Sequence, residues 1–165
     1  MQLYVEVPTQ YRLLYLAAFL YAHQGEKVIL FASNCELVNF LHSLLTTLDW
    51  GLLGDKEPID QVREERELLF GGRVFKLHGN LEHAARKQNF FGFDSKASAL
   101  LICTDVASRG LDFKAVDWVL QYEPASQIKE YANRIGRTAR MASKGQSLVF
   151  LMPQELKYVE HMNQQ

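Results

Sequence analysis

The stretch KVILFASNCELVNFLHSLLTTL at residues 27–48 decides the fold class. Its first seven residues form a nearly unbroken apolar run, which is typical of a strand buried on both faces. The residues that follow begin with a Ser–Asn cap, and Glu36 stands three residues after Ser33, which is the capping-box pattern of a helix start. The stretch therefore predicts a buried strand followed directly by a helix.

The same alternation of strand and helix continues along the whole chain. Further strands are predicted over 3–7, 73–79, 99–105, 116–123 and 146–152, and further helices over 9–23, 82–93, 127–136 and 154–162. Strands that alternate with helices of about 10–15 residues indicate a parallel sheet covered by helices on both faces. The expected fold class is α/β.

One charge-rich segment interrupts this alternation. Residues 49–72 read DWGLLGDKEPIDQVREERELLFGG and contain glycine, proline and an excess of acids over bases. We expect an inserted loop followed by a solvent-exposed helix at about 59–70, because charge-rich helices of this kind usually form an exposed face.

Composition limits the possible classes of protein. The chain has 165 residues, of which 48% are hydrophobic and 22% are charged, so we expect one globular domain over residues 1–165. The net charge of −1 excludes a polycation that coats nucleic acid, and any anion binding must come from a local cluster. The first residues resemble the interior of a longer polypeptide, so we expect the chain to be part of a larger protein.

The cysteines and the apolar runs give further limits. Cys35 and Cys103 are far apart and have no histidines at metal-ligand spacing, so they are interpreted as reduced thiols and no metal site is expected. The longest apolar run, residues 13–22, is about half of the roughly 20 residues that a membrane span needs. We see no secretion signal, so neither secretion nor membrane insertion is expected.

Small and polar residues follow the predicted strands, at the edge where open α/β sheets bind ligands. In TDVASRGLD (104–112), Thr104 offers a hydroxyl and Arg109 a fork of hydrogen-bond donors. Gly110 would let the backbone approach a ligand closely, and Asp112 could accept hydrogen bonds from a ribose. The alternative is an ordinary turn with an aspartate cap and a salt-bridged arginine.

The segment YANRIGRTAR (131–140) places Arg134, Arg137 and Arg140 three residues apart with no acid among them. We therefore expect the anions of a ligand to neutralise them. Arg137 and Arg140 could converge on one phosphoryl group, which is the arginine-finger role in phosphoryl transfer. The alternative is a solvated basic helix end that favours the helix dipole.

The segment LHGNLEHAAR (77–86) leads from a strand into a helix. Gly79 ends the strand, and the helix is expected to start near Glu82 with His83 and Arg86 on one side. Backbone amides at a helix N-terminus together with an arginine can bind phosphate. The alternative is that the glycine serves only the geometry of the turn.

Two motifs that handle phosphate and magnesium are missing from the sequence. It has no Gly-Lys dipeptide and hence no Walker A loop, and it has no Asp-Glu dipeptide, so the usual Mg²⁺-holding motif of ATPases is absent. The chain carries residues that would complete an ATP site but lacks those that would begin one. The sequence therefore predicts a domain that supplies one half of an enzyme, with the other half elsewhere.

Four motifs in register resemble a single family. CTDVASRGLDF and YANRIGRTAR resemble motifs V and VI of DEAD-box RNA helicases, VILFAS resembles motif IV, and LHGNLEHAAR resembles the RNA-contacting motif that follows it. Their order and spacing are similar to those of the C-terminal RecA-like domain. The resemblance implies a RecA-like three-layer sandwich with a central, mostly parallel sheet. It also implies an ATP-dependent motor in which two such domains close over ATP and RNA.

The resemblance also implies roles for individual residues. Arg137 and Arg140 would act as catalytic residues on the γ-phosphate, and Gly110 with Asp112 would bind the ribose and phosphate region of ATP. The residues assigned to RNA, chiefly to its sugar-phosphate backbone, are Ser33, Gly79, His83, Arg86, Thr104, Arg109 and Arg134. The implied cofactors are ATP and Mg²⁺, with the Mg²⁺ ligands expected in an N-terminal RecA-like domain that this chain lacks.

Three positions depart from the family's motifs. Asn133 stands where motif VI usually has His, Ala139 stands where it usually has Gly, and His83 stands where the RNA-contacting motif usually has Gln. Asparagine cannot titrate, so coupling between the ATP and RNA sites is expected to differ in detail. The substitution at His83 leaves that RNA contact open.

The implied partners are RNA, the N-terminal RecA-like domain and pre-ribosomal particles. Pre-ribosomal particles are implied by a resemblance to the nucleolar branch of the family, which is associated with large ribosomal subunit assembly. The resemblance is in VPTQYRLLYLAAFL, in SNCELVNFLHSLL and in the insertion. The expected location is the nucleus or nucleolus, or otherwise the cytoplasm, and the isolated domain is expected to be monomeric and inactive. Two alternatives stay open: a non-catalytic RecA-like scaffold or regulatory module, and a DNA-directed superfamily-2 helicase.

Overall fold

The computed structural model describes residues 1–47, 70–108, 111–138 and 145–163. Within them, strands and helices alternate as the sequence predicts. The elements are β1 Gln2–Glu6, α1 Arg12–Ala22, β2 Lys27–Phe31, α2 Cys35–Thr47, β3 Arg73–Leu77, α3 His83–Asp94, β4 Ala99–Cys103, β5 Trp118–Gln121, α4 Ile128–Ile135, β6 Gln146–Leu151 and α5 Lys157–Asn163. Short 3₁₀ helices cover Thr9–Tyr11, Asp105–Ser108 and Pro153–Glu155. Most of the charge-rich insertion, including nearly all of the helix expected at 59–70, lies outside the described residues.

The described strands form one sheet in the order β1-β6-β5-β2-β4-β3, and every neighbouring pair is parallel. Because all strands run the same way, their carboxyl ends meet at one edge of the sheet. The prediction of a parallel sheet is therefore confirmed. None of the helices that the structure describes is long and apolar enough to cross a membrane.

Helices cover both faces of the sheet, and the central strand β2 shows why. Val28 and Leu30 belong to one buried cluster with residues of α1 and α2, such as Leu16 and Leu41. Ile29 and Phe31 belong to a second buried cluster, which includes Phe93 of α3. Alternate residues of a strand point to opposite faces, so the unbroken apolar run of β2 fills two cores. This is the expected three-layer α/β arrangement.

Lys27 begins β2 and is only 2% exposed although it carries an amine. Its Nζ donates to the Asp94 carbonyl at 3.0 Å and lies 4.9 Å from the centre of the Phe93 ring. Burial lowers the pKa of Lys27, and the neighbouring carboxylates of Asp94 and Asp117 partly oppose that shift. The lysine thereby joins the end of α3 to the sheet, at the edge opposite the strands' carboxyl ends.

Several boundaries differ from the prediction, and three of these differences place a candidate residue in a loop. β2, β3 and β4 end two residues earlier than expected, so Ser33, Gly79 and Thr104 follow the strands. The expected capping box at Ser33 is wrong: Asn34 caps α2, because its Oδ1 accepts a hydrogen bond from the Leu37 amide at 2.8 Å.

Candidate functional site

The loops that follow β2, β3, β4 and β5 are tied together by hydrogen bonds. The Thr104 amide donates to the Leu77 carbonyl at 3.2 Å, which joins the ends of β3 and β4. The Ser33 amide donates to Glu123 Oε2 at 3.1 Å, which joins the ends of β2 and β5. Thr104 is half-buried, and Ser33 is exposed. The structure thus brings these loops to one rim, as the sequence predicted.

Arg134 corrects one expectation from the sequence. It was expected to have no acidic partner and to contact RNA, but its side chain is only 4% exposed and forms a two-pronged ion pair with Asp105. Nε donates to Asp105 Oδ1 and Nη2 donates to Oδ2, each at 2.7 Å. The pairing was missed because Asp105 precedes Arg134 by 29 residues. A guanidinium so enclosed has little surface left for a strand of RNA.

The remaining donors of Arg134 hold neighbouring elements in place. Nη1 donates to Gln121 Oε1 at 3.1 Å and to the Glu123 carbonyl at 3.0 Å. The guanidinium carbon lies 5.2 Å from the centre of the Phe31 ring, a cation–π contact. Arg134 therefore connects α4 to the carboxyl ends of β2, β4 and β5. Its position fixes the turn that follows α4.

Arg137 lies in that turn and not on the helix, because α4 ends at Ile135. Its Nε donates to the Asn133 carbonyl at 3.1 Å, and its Nη1 donates to the Leu111 carbonyl. Leu111 directly precedes Asp112, whose carboxylate is on an exposed residue. The half-buried cation and the carboxylate therefore flank one short piece of backbone, although they are 25 positions apart in the sequence. This juxtaposition can present a positive charge and a hydrogen-bond acceptor to the same ligand.

The next residue, Thr138, holds the other side of the turn. It is 7% exposed, and its hydroxyl donates to the Val116 carbonyl at 2.5 Å. The turn with Arg137 is thus held between Arg134 and Thr138, which limits how far the guanidinium can move. Arg140, Arg109 and Gly110 lie outside the described residues, so their roles, and the convergence of Arg137 with Arg140, stay predictions.

The loop before α3 carries the third candidate group. α3 begins at His83, which is exposed, and Arg86 is half-buried one turn later. Gly79 is exposed, has no positive φ, and a Cβ built on it would meet nothing within 4 Å. Neither the local conformation nor packing within the described chain requires glycine there. That finding weakens the alternative in which Gly79 serves turn geometry alone.

Sequence reasoning missed an ion network behind the rim. Arg12 is 6% exposed, and its Nη2 lies 2.8 Å from Glu155 Oε2, while its Nη1 lies 4.0 Å from Glu123 Oε1. Glu123 in turn accepts the hydrogen bond from the Ser33 amide. Arg12 and Glu155 are 143 positions apart, so no local pattern could have revealed the pair. The network holds the loop of Ser33 through Glu123.

The buried thiol beside the site is not a nucleophile. Cys103 ends β4 next to Thr104 and is fully buried, and burial raises the pKa of its thiol far above the ordinary value. Thiol chemistry requires the thiolate, which is suppressed here. Among the residues that the structure describes, no group of three histidine, cysteine or acidic side chains could hold a metal ion.

Comparison with known proteins gives the family. Residues 11–142 match the model described as the helicase conserved C-terminal domain. The chain belongs to this helicase family. The matched range contains the loops of Ser33, Gly79 and Thr104 as well as Arg137.

The relatives of this helicase domain are longer proteins. It is 39% identical over 165 residues to a rice protein named DEAD-box ATP-dependent RNA helicase 17, covering 98% of the chain and 27% of that protein. It is 47% identical over 116 residues to a Dictyostelium discoideum protein named ATP-dependent DNA helicase DDX31, covering 66% of the chain and 13% of that protein. The chain therefore spans about a quarter, or less, of the length of these curated relatives.

Solved structures confirm the RecA-like fold. The structure described as Mss116p DEAD-box helicase domain 2 bound to an RNA duplex superposes with a TM-score of 0.80 at 25% identity. The match covers 99% of this helicase domain and 58% of the solved chain. The expected RecA-like three-layer sandwich is thus correct, and within the described residues its sheet is fully parallel.

Proposed function

We propose that this helicase domain is the second motor domain of an ATP-dependent RNA helicase. It binds the RNA backbone and completes an ATP site whose other half lies in an N-terminal RecA-like domain. The observation that carries the proposal is the bond from Arg137 to the Leu111 carbonyl, which fixes a cation beside Asp112. One side chain suits the terminal phosphate of a nucleotide, and the other suits its ribose.

The side chains of this set suit ATP in charge and in hydrogen-bonding capacity. A guanidinium is planar and always charged, so Arg137 can offset the charge that develops during phosphoryl transfer. Asp112 is exposed and can accept hydrogen bonds from ribose hydroxyls. Arg140 and Gly110 complete the proposed set, as the family resemblance implies. Mg²⁺ would be held by the N-terminal domain, where it supplies further charge neutralisation.

The RNA side of the proposal uses the rim and the start of α3. Ser33, Gly79 and Thr104 lie in loops at the carboxyl edge of the sheet, and Arg86 lies nearby on α3. Small side chains and hydroxyls let a sugar-phosphate chain approach, and such contacts position RNA without reading its sequence. His83 and Arg109 join this set. Arg134 acts behind it, as a positioning residue that holds the turn of Arg137.

The direct test replaces Arg137 by alanine in the full-length protein. RNA-stimulated ATP hydrolysis should fall by about three orders of magnitude or more, which is the scale of an arginine-finger contribution. Lys129→Ala is a matched control, since Lys129 is an exposed cation on α4. Turnover of Arg137→Ala near the wild-type rate, with normal folding by circular dichroism, would show that the assignment is wrong.

The isolated helicase domain should bind ATP weakly and should not hydrolyse it. The lysine and the Mg²⁺ ligands that normally hold the phosphates are proposed to lie in the other domain. Isothermal titration calorimetry of the 165-residue chain measures this directly. Tight binding of ATP to the chain alone would contradict the two-domain site.

DNA is the competing nucleic acid, because one relative is named an ATP-dependent DNA helicase. Recognition of RNA would depend on 2′-hydroxyl groups, which DNA lacks. Competition between RNA and DNA strands of one sequence, measured by ATPase stimulation in the full-length protein, separates the two functions. Equal stimulation by both strands would favour the DNA-directed reading.

Pre-ribosomal particles are the proposed site of action. The support is the resemblance of residues 7–20 and 33–45 to the nucleolar branch of the family. The full-length protein, fused to a fluorescent protein, should concentrate in the nucleolus and sediment with large-subunit precursors. A purely cytoplasmic signal would remove this part of the proposal without affecting the motor assignment.

A further inference from the structure

A cleft of 420 Å³ lies beside the start of α3. Its apolar lining comes from Leu77, Phe90, Phe91 and Leu111. Its polar lining comes from His83, Arg86 and Lys87, and among the residues that the structure describes no acid lines the cleft. The contacts assigned above to RNA phosphates account for Arg86 but not for Phe90 and Phe91, which form an aromatic wall of the cleft.

The aromatic wall is held in place by the core. Phe113 is 2% exposed, and the Phe90 ring packs against it at 5.2 Å between ring centres. The Phe91 ring meets Phe90 edge-on, also at 5.2 Å, yet Phe91 remains 63% exposed. An exposed aromatic ring that contacts a packed neighbour beside a cleft offers a face on which another flat ring can stack.

The charges beside the aromatic wall indicate which charged group a stacked ligand would have. Arg86 and Lys87 are basic side chains, and no acid lines the cleft within the described part of the chain. A ligand that joins a flat apolar ring to a nearby anion would complement both the rings and the cations. A nucleotide within a single strand has this composition, with the base on one side of the ribose and the phosphate on the other.

We propose that the cleft holds one nucleobase of the bound RNA, stacked on Phe91, with the adjoining phosphate on Arg86 and Lys87. This inference rests on the proposed RNA-binding function and adds to it a contact with a base. The cleft also borders Leu111, whose carbonyl holds Arg137. A base in the cleft would therefore lie beside Leu111, the residue that directly precedes Asp112.

The test uses the 165-residue chain and two fluorescein-labelled oligomers of equal length in low salt. One is oligoadenylate and the other is an abasic ribose-phosphate oligomer, and binding is measured by fluorescence anisotropy. Phe91→Ala should weaken binding of oligoadenylate about fivefold or more, the scale of one lost stacking contact, without changing binding of the abasic oligomer. Arg86→Ala should weaken both. Phe40→Ala is the matched control, because Phe40 is a 55% exposed aromatic on α2, outside the cleft.

The outcomes separate this inference from the proposed function. Wild-type binding of both oligomers, with Phe91→Ala equal to the wild type on oligoadenylate, overturns the base site and leaves backbone binding intact. Equal weakening of both oligomers by Phe91→Ala also overturns it, because the effect would not depend on the base. Failure of the wild type to bind either oligomer overturns the base site, and RNA-stimulated ATP hydrolysis by the full-length protein then decides the proposed function separately.

Discussion

Arg134 and Asp105 form a partly buried ion pair in which two guanidinium nitrogens each lie 2.7 Å from a carboxylate oxygen. The pair joins the turn after β4 to the last turn of α4. The first leads to Asp112 and the second to Arg137, so a structural ion pair sits behind the two candidate ATP contacts. Arg134 and Arg137 therefore have different roles. Arg134 holds the elements of the site together, and Arg137 faces the Leu111–Asp112 backbone.

Breaking this pair should destabilise the fold. Arg134→Ala removes both charge-assisted hydrogen bonds to Asp105, and we expect a loss of about 3 kcal/mol in the free energy of unfolding. Arg134→Lys should also lose stability, because an ammonium cannot form two parallel bonds to a carboxylate. Urea unfolding followed by circular dichroism measures both variants. Arg73→Ala, which removes an exposed cation on β3, should stay within about 0.5 kcal/mol of the wild type. Wild-type stability of Arg134→Ala would contradict the role given to the pair.

The contrast between Arg134 and β2 shows what local sequence can predict. The apolar run of β2 implied burial on both faces, because the period of a strand is a local property. The partner of Arg134 could not be predicted, since the fold alone brings Asp105 beside it. The same holds for Arg12 with Glu155, whose pairing depends on β1 and β6 being neighbours in the sheet. Motifs located the rim, but the pairing of Arg12 and Arg134 with acids depended on long-range packing.

The two cysteines should react at very different rates. Cys35 is half-buried in the first turn of α2, whereas Cys103 is fully buried and its pKa is raised by burial. A disulfide reagent such as Ellman's reagent should therefore modify one thiol in the folded protein and the second only on unfolding. In Cys35→Ser, almost no thiol should react until urea is added. Rapid reaction of both thiols under native conditions would contradict the burial of Cys103.

Stability should fall as the pH is lowered through the histidine range, partly because of His78. Its Nε2 lies 3.2 Å from Asn39 Oδ1, which also accepts a hydrogen bond from Lys76 Nζ at 2.7 Å. Nδ1 is buried and has no hydrogen-bond partner in the part of the chain that the structure describes. Burial, and next the charge of Lys76, lowers the pKa of His78, because a second N–H would be buried without an acceptor.

The sign of the pH effect follows from this shift. Below the ordinary pKa of about 6.5, the unfolded chain binds a proton that the folded chain resists, so the free energy of unfolding decreases as the pH falls. Urea midpoints at pH 7.5 and 5.5 should differ, and His78→Gln should reduce the difference. The single variant His42→Gln should also reduce the difference between the two midpoints, since burial lowers the pKa of His42 as well. An unchanged pH dependence in both variants would contradict this account.

Two glycines offer a matched pair for separating packing from binding. Gly92 lies inside α3, and a Cβ there would stand 2.6 Å from Cε1 of Phe75. The Phe75 ring is itself in edge contact with Phe93, so it cannot easily move aside. Gly92→Ala gains about 1 kcal/mol of helix propensity but should lose about 1–3 kcal/mol to overpacking. We expect a net loss of stability and little change in RNA affinity once the protein is folded.

Gly79→Ala should show the opposite pattern. The added methyl group meets no atom within 4 Å, and the backbone has no positive φ, so the free energy of unfolding should stay the same or rise slightly. RNA binding should nevertheless weaken, because the methyl group would occupy space that the sugar-phosphate backbone is proposed to approach. Urea unfolding and anisotropy with labelled RNA measure the two effects on the same samples. If Gly79→Ala bound RNA as tightly as the wild type, Gly79 would have to be removed from the proposed interface.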